Sequence, residues 1–338
     1  MDRTPMITVQ IREPSQVAEA RRRAVSLAEY VGLDDRQRGR LAIIVTEAAT
    51  NILRHGGGGE VLLKGDAEAE GGRVDVVALD QGAGMANVND CLRDGVSSAE
   101  GPGTGLGAIQ RLSDHCDIYS KPGVGTAVVC GIAASGLPPG GRGPLRVGAV
   151  CLPRAGETLG GDGWASRPMG DTGLFLLMCD GLGHGIGANT AMVAACSAFA
   201  QSETDDPAAV MTDIHEHLRR TRGAAIALAR IDPADRHVVF AGVGNISGVI
   251  RGDGRQQRTL SQNGVVGHNM IRVKEMDYQW EGALLAVFHS DGLSAKWELD
   301  SYPGLVTRQP LMIASVLYRD FKRPRDDNLV VVVKATET

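Results

Sequence analysis

The sequence predicts an α+β protein built from two domains, and three observations carry that prediction. The chain has 338 residues, about twice what one hydrophobic core usually organises. A Gly/Pro-rich stretch interrupts it near the middle, from Ala133 to Arg146. On both sides of that stretch, segments of helical period alternate with short apolar runs of strand character.

Residues 6–11 alternate as a strand, and 14–31 carry Val17, Ala18, Ala24, Val25, Leu27 and Ala28 at helical spacing up to Gly32. A second helix starts at Asp34 or Asp35 and stops at the Gly56–Gly59 run. Strands follow at 60–64 and 73–79, then a helix at 104–114 behind a glycine loop. A hairpin joins 116–120 to 126–132 through Lys121-Pro122-Gly123-Val124-Gly125. The stretch after it holds Gly136, Pro138, Pro139, Gly140, Gly141, Gly143 and Pro144, so domains are expected at 1–133 and 146–338 with a linker at 134–145. Beyond it, strands are expected at 146–152, 173–179, 224–231, 237–243, 246–250, 282–288 and 328–334. Helices are expected at 187–200, 207–221 and 309–320, giving a layered β-sandwich covered by helices.

Composition narrows the function classes. A net charge of -5 without a basic block argues against nucleic acid and anionic membranes. An aromatic content of 4% leaves little surface for stacking bases. Cys91, Cys116, Cys130, Cys151, Cys179 and Cys196 form no CxxC and no zinc spacing, so they read as reduced, mostly buried thiols. With no apolar signal core and no run of about 18 apolar residues, a cytoplasmic location is expected.

Two constellations carry chemistry. In the helix ending at His55, Leu41, Ile44, Val45, Ala48 and Ile52 form the inward stripe, whereas Glu47, Asn51 and His55 recur every fourth residue on another face. Phosphoryl transfer needs a base for the acceptor hydroxyl and an oxygen ligand that holds Mg²⁺ on the phosphates; Glu47 and Asn51 are of that type and reach. Alone, the stripe also fits a solvated helix face. Further along, Asp80 ends the apolar run Val74–Leu79 in Asp80-Gln81-Gly82-Ala83-Gly84, where backbone can approach a ligand closely and the carboxylate could accept the adenine amine. Gly103-Thr104-Gly105-Leu106-Gly107 then opens a helix, whose free N–H groups suit phosphate. This loop follows polar sequence rather than a strand, which argues against a Rossmann site.

This order, closed by Gly125-Thr126, resembles the GHKL (histidine-kinase-like) ATPases of the anti-sigma-factor Ser/Thr kinase branch, and Thr46-Glu47-Ala48-Ala49-Thr50-Asn51-Ile52-Leu53-Arg54-His55 is most similar to the RsbT group. The resemblance spans roughly 6–133 and implies a GHKL/Bergerat α/β sandwich. It implies Glu47 as general base, Asn51 as Mg²⁺ ligand, and Asp80 and Thr126 at adenine. Gly82, Gly84 and the loop Gly103, Thr104, Gly105, Leu106 and Gly107 would surround the base and phosphates of ATP. The acceptors it implies are Ser or Thr of STAS-domain antagonist or scaffold proteins.

In the C-terminal half, Asp180 terminates Leu174–Cys179 and Asp291 terminates Ala283–His289, each followed by glycine. Gly160-Gly161-Asp162 precedes them, and Arg325-Asp326-Asp327-Asn328 precedes a last apolar strand. Hard divalent cations take oxygen ligands, and a cation pair can generate hydroxide and clamp a phosphoryl group. Each Asp-Gly alone would read as a turn. The ordered set resembles the PPM-type metal-dependent Ser/Thr phosphatases, SpoIIE/RsbX branch, over roughly 146–334, with an α-β-β-α sandwich. That likeness implies Asp162, Asp180, Asp291, Asp326 and the Gly181 carbonyl as ligands of Mn²⁺ or Mg²⁺. Leu329 replaces the usual threonine of Asp-Asp-x-Thr, which leaves Asp326 and Asp327 both open. His184 is either a proton donor to the leaving serine or a structural turn residue. Asn263–Gly267 is expected near the substrate entrance, and His215 and His217 on a helix surface.

The resemblance implies a kinase and a phosphatase on one chain, acting on STAS-domain proteins of a partner-switching or stressosome pathway. The rival reading makes the N-terminal half a nucleotide-gated module that binds a partner or controls the phosphatase in cis.

Overall fold

A computed structural model describes residues 6–67, 72–92, 105–134, 144–270 and 272–335. It divides into two compact units. One comprises Thr4–Pro139 with Glu298–Arg319, the other Gly140–Trp297 with Asp320–Thr338. The C-terminal sequence thus contributes a segment to the first unit.

In the first unit, β1 (Ile7–Ile11), β2 (Gly59–Asp66), β3 (Arg73–Asp80), β4 (His115–Lys121) and β5 (Gly125–Ala133) form an antiparallel sheet in the order β1-β2-β3-β5-β4. Helix α1 (Pro14–Tyr30) starts where Glu13 and Gln16 make a reciprocal capping box and Pro14 presets the first turn. Helix α2 (Asp35–His55) starts behind Asp34, whose side chain accepts from the Gln37 amide, and ends at Gly56. A short turn of helix, α3 (Val88–Cys91), and helix α4 (Gly105–Leu112) follow. The inward stripe of α2 packs with Ala24 and Ala28 of α1 onto Val61, Leu63, Val76, Ala78, Val128 and Cys130.

The opposite face of this sheet is buried as well: Leu62, Val77, Leu79, Ala127 and Val129 are no more than 1% exposed. The segment Glu298–Arg319 packs here. Tyr318 donates to Glu60 Oε2 (3.4 Å), Arg308 pairs with Asp117 (3.0 Å), and Lys121 Nζ donates to the Ser301 carbonyl (2.7 Å) and lies over the Tyr302 ring. Helix α7 (Pro310–Phe321), which follows α5 and α6 below, is buried at every position from Pro310 to Arg319. A helix buried all round needs an apolar sequence all round, as Pro310-Leu311-Met312-Ile313-Ala314 is.

The second unit holds two five-stranded antiparallel sheets. One runs β13-β10-β9-β8-β7, from β7 (Asp162–Met169), β8 (Gly173–Gly181), β9 (Ala224–Asp232), β10 (His237–Val243) and β13 (Glu275–Gln279). The other runs β12-β11-β14-β15-β6, from β6 (Leu145–Leu152), β11 (Ser247–Gly252), β12 (Arg255–Arg258), β14 (Leu285–His289) and β15 (Asn328–Ala335). Leu176, Met178, Ala227 and Phe240 face Ile250, Phe288, Leu329 and Val331 in their shared core. Helices α5 (Ile186–Gln201) and α6 (Pro207–Leu218) cover the outer face of the first sheet through Phe199, Met211 and Ile214.

The strands the sequence reading omits are β7, β12 and β13, and all three are sheet edges. An edge strand buries less, so it needs no apolar run: β12 reads Arg-Gln-Gln-Arg, and β7 carries Pro168, which an edge tolerates. Among the described residues the six cysteines form no disulfide, and three of them are buried. No helix among those residues is long and apolar enough to cross a membrane.

Candidate active sites

In the first unit the predicted residues fall into two groups. The first gathers around the end of β3. Asp80 Oδ1 accepts from the backbone amides of Gly82 (2.9 Å) and Thr126 (3.2 Å), while Thr126 Oγ1 shares a hydrogen bond with Ser120 Oγ (2.9 Å). Two amides on one oxygen fix the carboxylate plane and leave Oδ2 without a partner among the described residues. Gly84 adopts φ +67°, and a Cβ there would stand 2.3 Å from the Lys121 carbonyl, so only glycine lets the turn close on the β4–β5 hairpin.

The second group joins α2 to the start of α4. A Cβ on Gly105 would lie 3.0 Å from Asn51 Oδ1 and 3.3 Å from Glu47 Oε2. The glycine therefore brings the helix start against both side chains, and the buried Asn51 Nδ2 has no hydrogen-bond partner. A buried, unsatisfied amide beside a carboxylate at a helix start is consistent with a site for a polar ligand. Leu106 packs on the hydrophobic core and Gly107 is buried, which leaves their backbone as what they can offer a ligand. Gly103 and Thr104 lie outside the described residues. His55 is the exposed last residue of α2.

In the second unit, pairing of β7 with β8 sets Asp162 opposite Asp180, a juxtaposition that the omitted edge strand creates. Asp162 is buried and accepts from Ser290 Oγ (2.6 Å), which itself accepts from the Leu329 amide (3.1 Å). Asn245 Nδ2 donates to Asp291 Oδ2 (2.7 Å). Burial, followed by the neighbouring charge of Asp180, holds the Asp162 carboxyl well above its ordinary range. Burial, then Asp291 and Asp326, pushes Asp180 up to about 7. Asp326 is raised by burial and by Asp291. Mutually repelling, oxygen-only donors are what a divalent cation neutralises. Among the described side chains no three converge closely on one point, so the carboxylates form an electrostatic cluster rather than a preformed cage.

Asp327 adds its charge to this group, but its side chain is engaged by backbone. Its Oδ1 accepts from the Arg154 amide (2.7 Å) and its Oδ2 from the Gly161 amide (2.5 Å), so both oxygens brace the loop leading into Asp162. His184 Nδ1 lies 2.8 Å from Glu157 Oε1, which Arg154 Nε also contacts at 2.8 Å. His217 lies on the helix surface as expected, but His215 differs: its Nδ1 accepts from the Gly267 amide (2.9 Å), tying α6 to the 263–267 loop. That loop pairs with β9 through Val266 and Ala224, beside the end of β8. Ser290 and Asn245 are supporting residues to which the sequence reading gave no role. The serine inside His289-Ser290-Asp291-Gly292 and the Gly244-Asn245 turn were the available signals.

Comparison with known proteins agrees with this architecture. Residues 12–131 match the histidine kinase-like ATPase domain, and residues 170–335 match the stage II sporulation protein E (SpoIIE) domain. Serine/threonine-protein kinase RsbT of Bacillus subtilis (strain 168) is 28% identical over 120 residues, 36% of this chain and 90% of RsbT. Among solved structures, a chain from work on "The bacterial stressosome: a modular system that has been adapted to control secondary messenger signaling" superposes with a TM-score of 0.53. It is 26% identical, covering 56% of this chain and 98% of that one. RsbX in complex with magnesium shares the fold at 19% identity and a TM-score of 0.51, over 57% of this chain and 96% of RsbX.

The protein is therefore a mixed α/β chain that joins a histidine kinase-like ATPase domain to a SpoIIE domain that shares the fold of RsbX. Its N-terminal domain is a homologue of the serine/threonine kinase RsbT, and its C-terminal domain is a SpoIIE domain.

Proposed function

We propose that the chain is a bifunctional partner-switching regulator that phosphorylates Ser or Thr of STAS-domain proteins with ATP and removes phosphate from the same or related proteins. The observation that carries the kinase half is Glu47 beside Asn51 at Gly105, because a module that only binds nucleotide needs no base. Glu47 would take the proton of the acceptor hydroxyl, Asn51 would hold Mg²⁺, and the free oxygen of Asp80 would accept the adenine amine. The phosphatase half is supported by the crowded carboxylates Asp162, Asp180, Asp291 and Asp326, which with the Gly181 carbonyl would hold Mn²⁺ or Mg²⁺. Bound cations supply Lewis acidity toward the phosphoryl group and its attacking water. Ser290 and Asn245 orient Asp162 and Asp291, and Asp327 braces the loop before Asp162.

The test is to incubate the full chain with STAS-domain proteins encoded near it, first with ATP and Mg²⁺ and then with Mn²⁺ without ATP, following phosphate by mass spectrometry. Serine or threonine phosphate should appear and then disappear. Failure of either phase removes that half of the proposal.

One observation favours a second reading, in which nucleotide controls the phosphatase in cis. Glu298–Arg319 belongs to the first unit, yet in sequence it lies between the carboxylates Asp291 and Asp326. Within that unit Gln81, next to Asp80, donates to the Arg319 carbonyl (3.4 Å). Phosphatase rates that change with ATP analogue in a Glu47→Ala variant would support it.

A further inference from the structure

We infer that Arg222 recognises the phosphoryl dianion of the phosphatase substrate; this deepens the phosphatase reading above and rests on it. The β8–β9 ladder pairs Asp180 with Ala225 and Gly181 with Ala224, and the Leu182 amide continues it by donating to the Gly223 carbonyl (3.0 Å). One step further along, Arg222 stands across from Gly183, in the loop that follows Asp180. A Cβ on Gly183 would lie 3.0 Å from its Nη1, and one on Gly187 2.5 Å from its Nε. Two glycines thus clear a path for one guanidinium along the loop that follows Asp180.

The charge of that guanidinium is uncommitted. Arg222 is exposed and has no hydrogen-bond or ion-pair partner among the described residues. Of the other basic side chains of these loops, Arg154 and His184 both contact Glu157, and the charge of Arg323 acts on Asp326. A phosphorylated serine arrives with about two negative charges at a place lined with carboxylates, and it needs a counter-charge beyond the cations. An arginine supplies that charge with a planar fork matched to phosphate oxygens, which lysine lacks. The Cδ-to-guanidinium stem lying on Gly187 limits the rotamers that would be lost on binding.

The experiment uses the full chain with Mn²⁺, p-nitrophenyl phosphate as substrate and inorganic phosphate as inhibitor. Arg222→Ala should raise KM for the ester and Ki for phosphate together by about ten- to a hundredfold, the range for a charge-assisted hydrogen bond. Mn²⁺ affinity by calorimetry should stay the same, and Arg222→Lys should recover part of the loss. KM and Ki within about twofold of wild type would overturn the inference. So would a parallel fall in Mn²⁺ affinity, which would make Arg222 a support of the loop. A wild-type chain that hydrolyses neither this ester nor a phosphoserine protein with Mn²⁺ would instead remove the phosphatase reading, and the inference with it.

Discussion

The two sites treat their carboxylates in opposite ways. Asp80 in the first unit is held from within, by two backbone amides on one oxygen, and its other oxygen is left to accept one more hydrogen bond. Asp162, Asp180, Asp291 and Asp326 in the second unit are set against one another, so that burial and repulsion push Asp180 up to about 7. A carboxylate with one oxygen held by backbone and the other free suits recognition of a neutral donor such as adenine. A frustrated cluster suits a cation, because only an external positive charge relieves it.

The sharpest way to break this contrast is at Glu47, the proposed base. Glu47→Ala should lower phosphoryl transfer about 10²- to 10⁴-fold while nucleotide affinity measured by calorimetry changes little. Unaltered transfer would make the first unit a binding module. Asp180→Asn should cost at least about a hundredfold in phosphatase turnover and weaken Mn²⁺ binding, since it would remove the charge of a proposed ligand. ATP affinity, the internal control, should not move. Separate Asp326→Asn and Asp327→Asn variants sharpen the comparison further. The first should abolish activity through the cluster, and the second should be milder, acting through the Arg154 and Gly161 amides that it holds. The reverse ranking would shift the ligand assignment by one residue.

A smaller effect is expected away from both sites. Asp75 is buried, which alone would raise its carboxyl, but the close approach of His115 and the charge of Arg73 hold it below the ordinary value. The Arg73 contact (3.2 Å) is the firmer support, because the 3.1 Å approach of His115 Nε2 lacks hydrogen-bond alignment. A depressed folded-state pKa contributes stability above the unfolded value near about 4 and loses it as pH falls through the folded value. Thermal scans should show the first unit weakening below about pH 4, and Asp75→Asn should remove that acid-sensitive part while costing up to about 3–5 kcal/mol at neutral pH. A pH profile shared by wild type and variant would contradict the assignment.

Much of this was legible in the sequence because strands buried on both faces write themselves as apolar runs. Val74–Leu79 and Asn328–Val333 are such runs, and Asp80 and Asp327 mark their ends. The α2 stripe was legible for the same reason, since helical period separates Ile44 and Ala48 from Glu47 and Asn51. What the sequence concealed lies at edges and in registers. Strand β7 is polar enough to pass for loop, and without it nothing sets Asp162 opposite Asp180. Apolarity all round in α7 announces a buried helix but not which sheet it covers, so the membership of Glu298–Arg319 in the first unit had no local signal. Asp326 and Asp327 are chemically identical neighbours, and only their hydrogen-bond partners tell them apart.

The central claim, that one chain carries two opposed and separable chemistries, is tested most directly by following phosphate on a single STAS-domain substrate with Asp80→Asn and Asp180→Asn in parallel. Wild type should add phosphate with ATP and Mg²⁺, then remove it once ATP is withdrawn and Mn²⁺ supplied. Asp80→Asn should remove but not add, and Asp180→Asn should add but not remove. Loss of both activities in either variant, or persistence of both, would contradict the account.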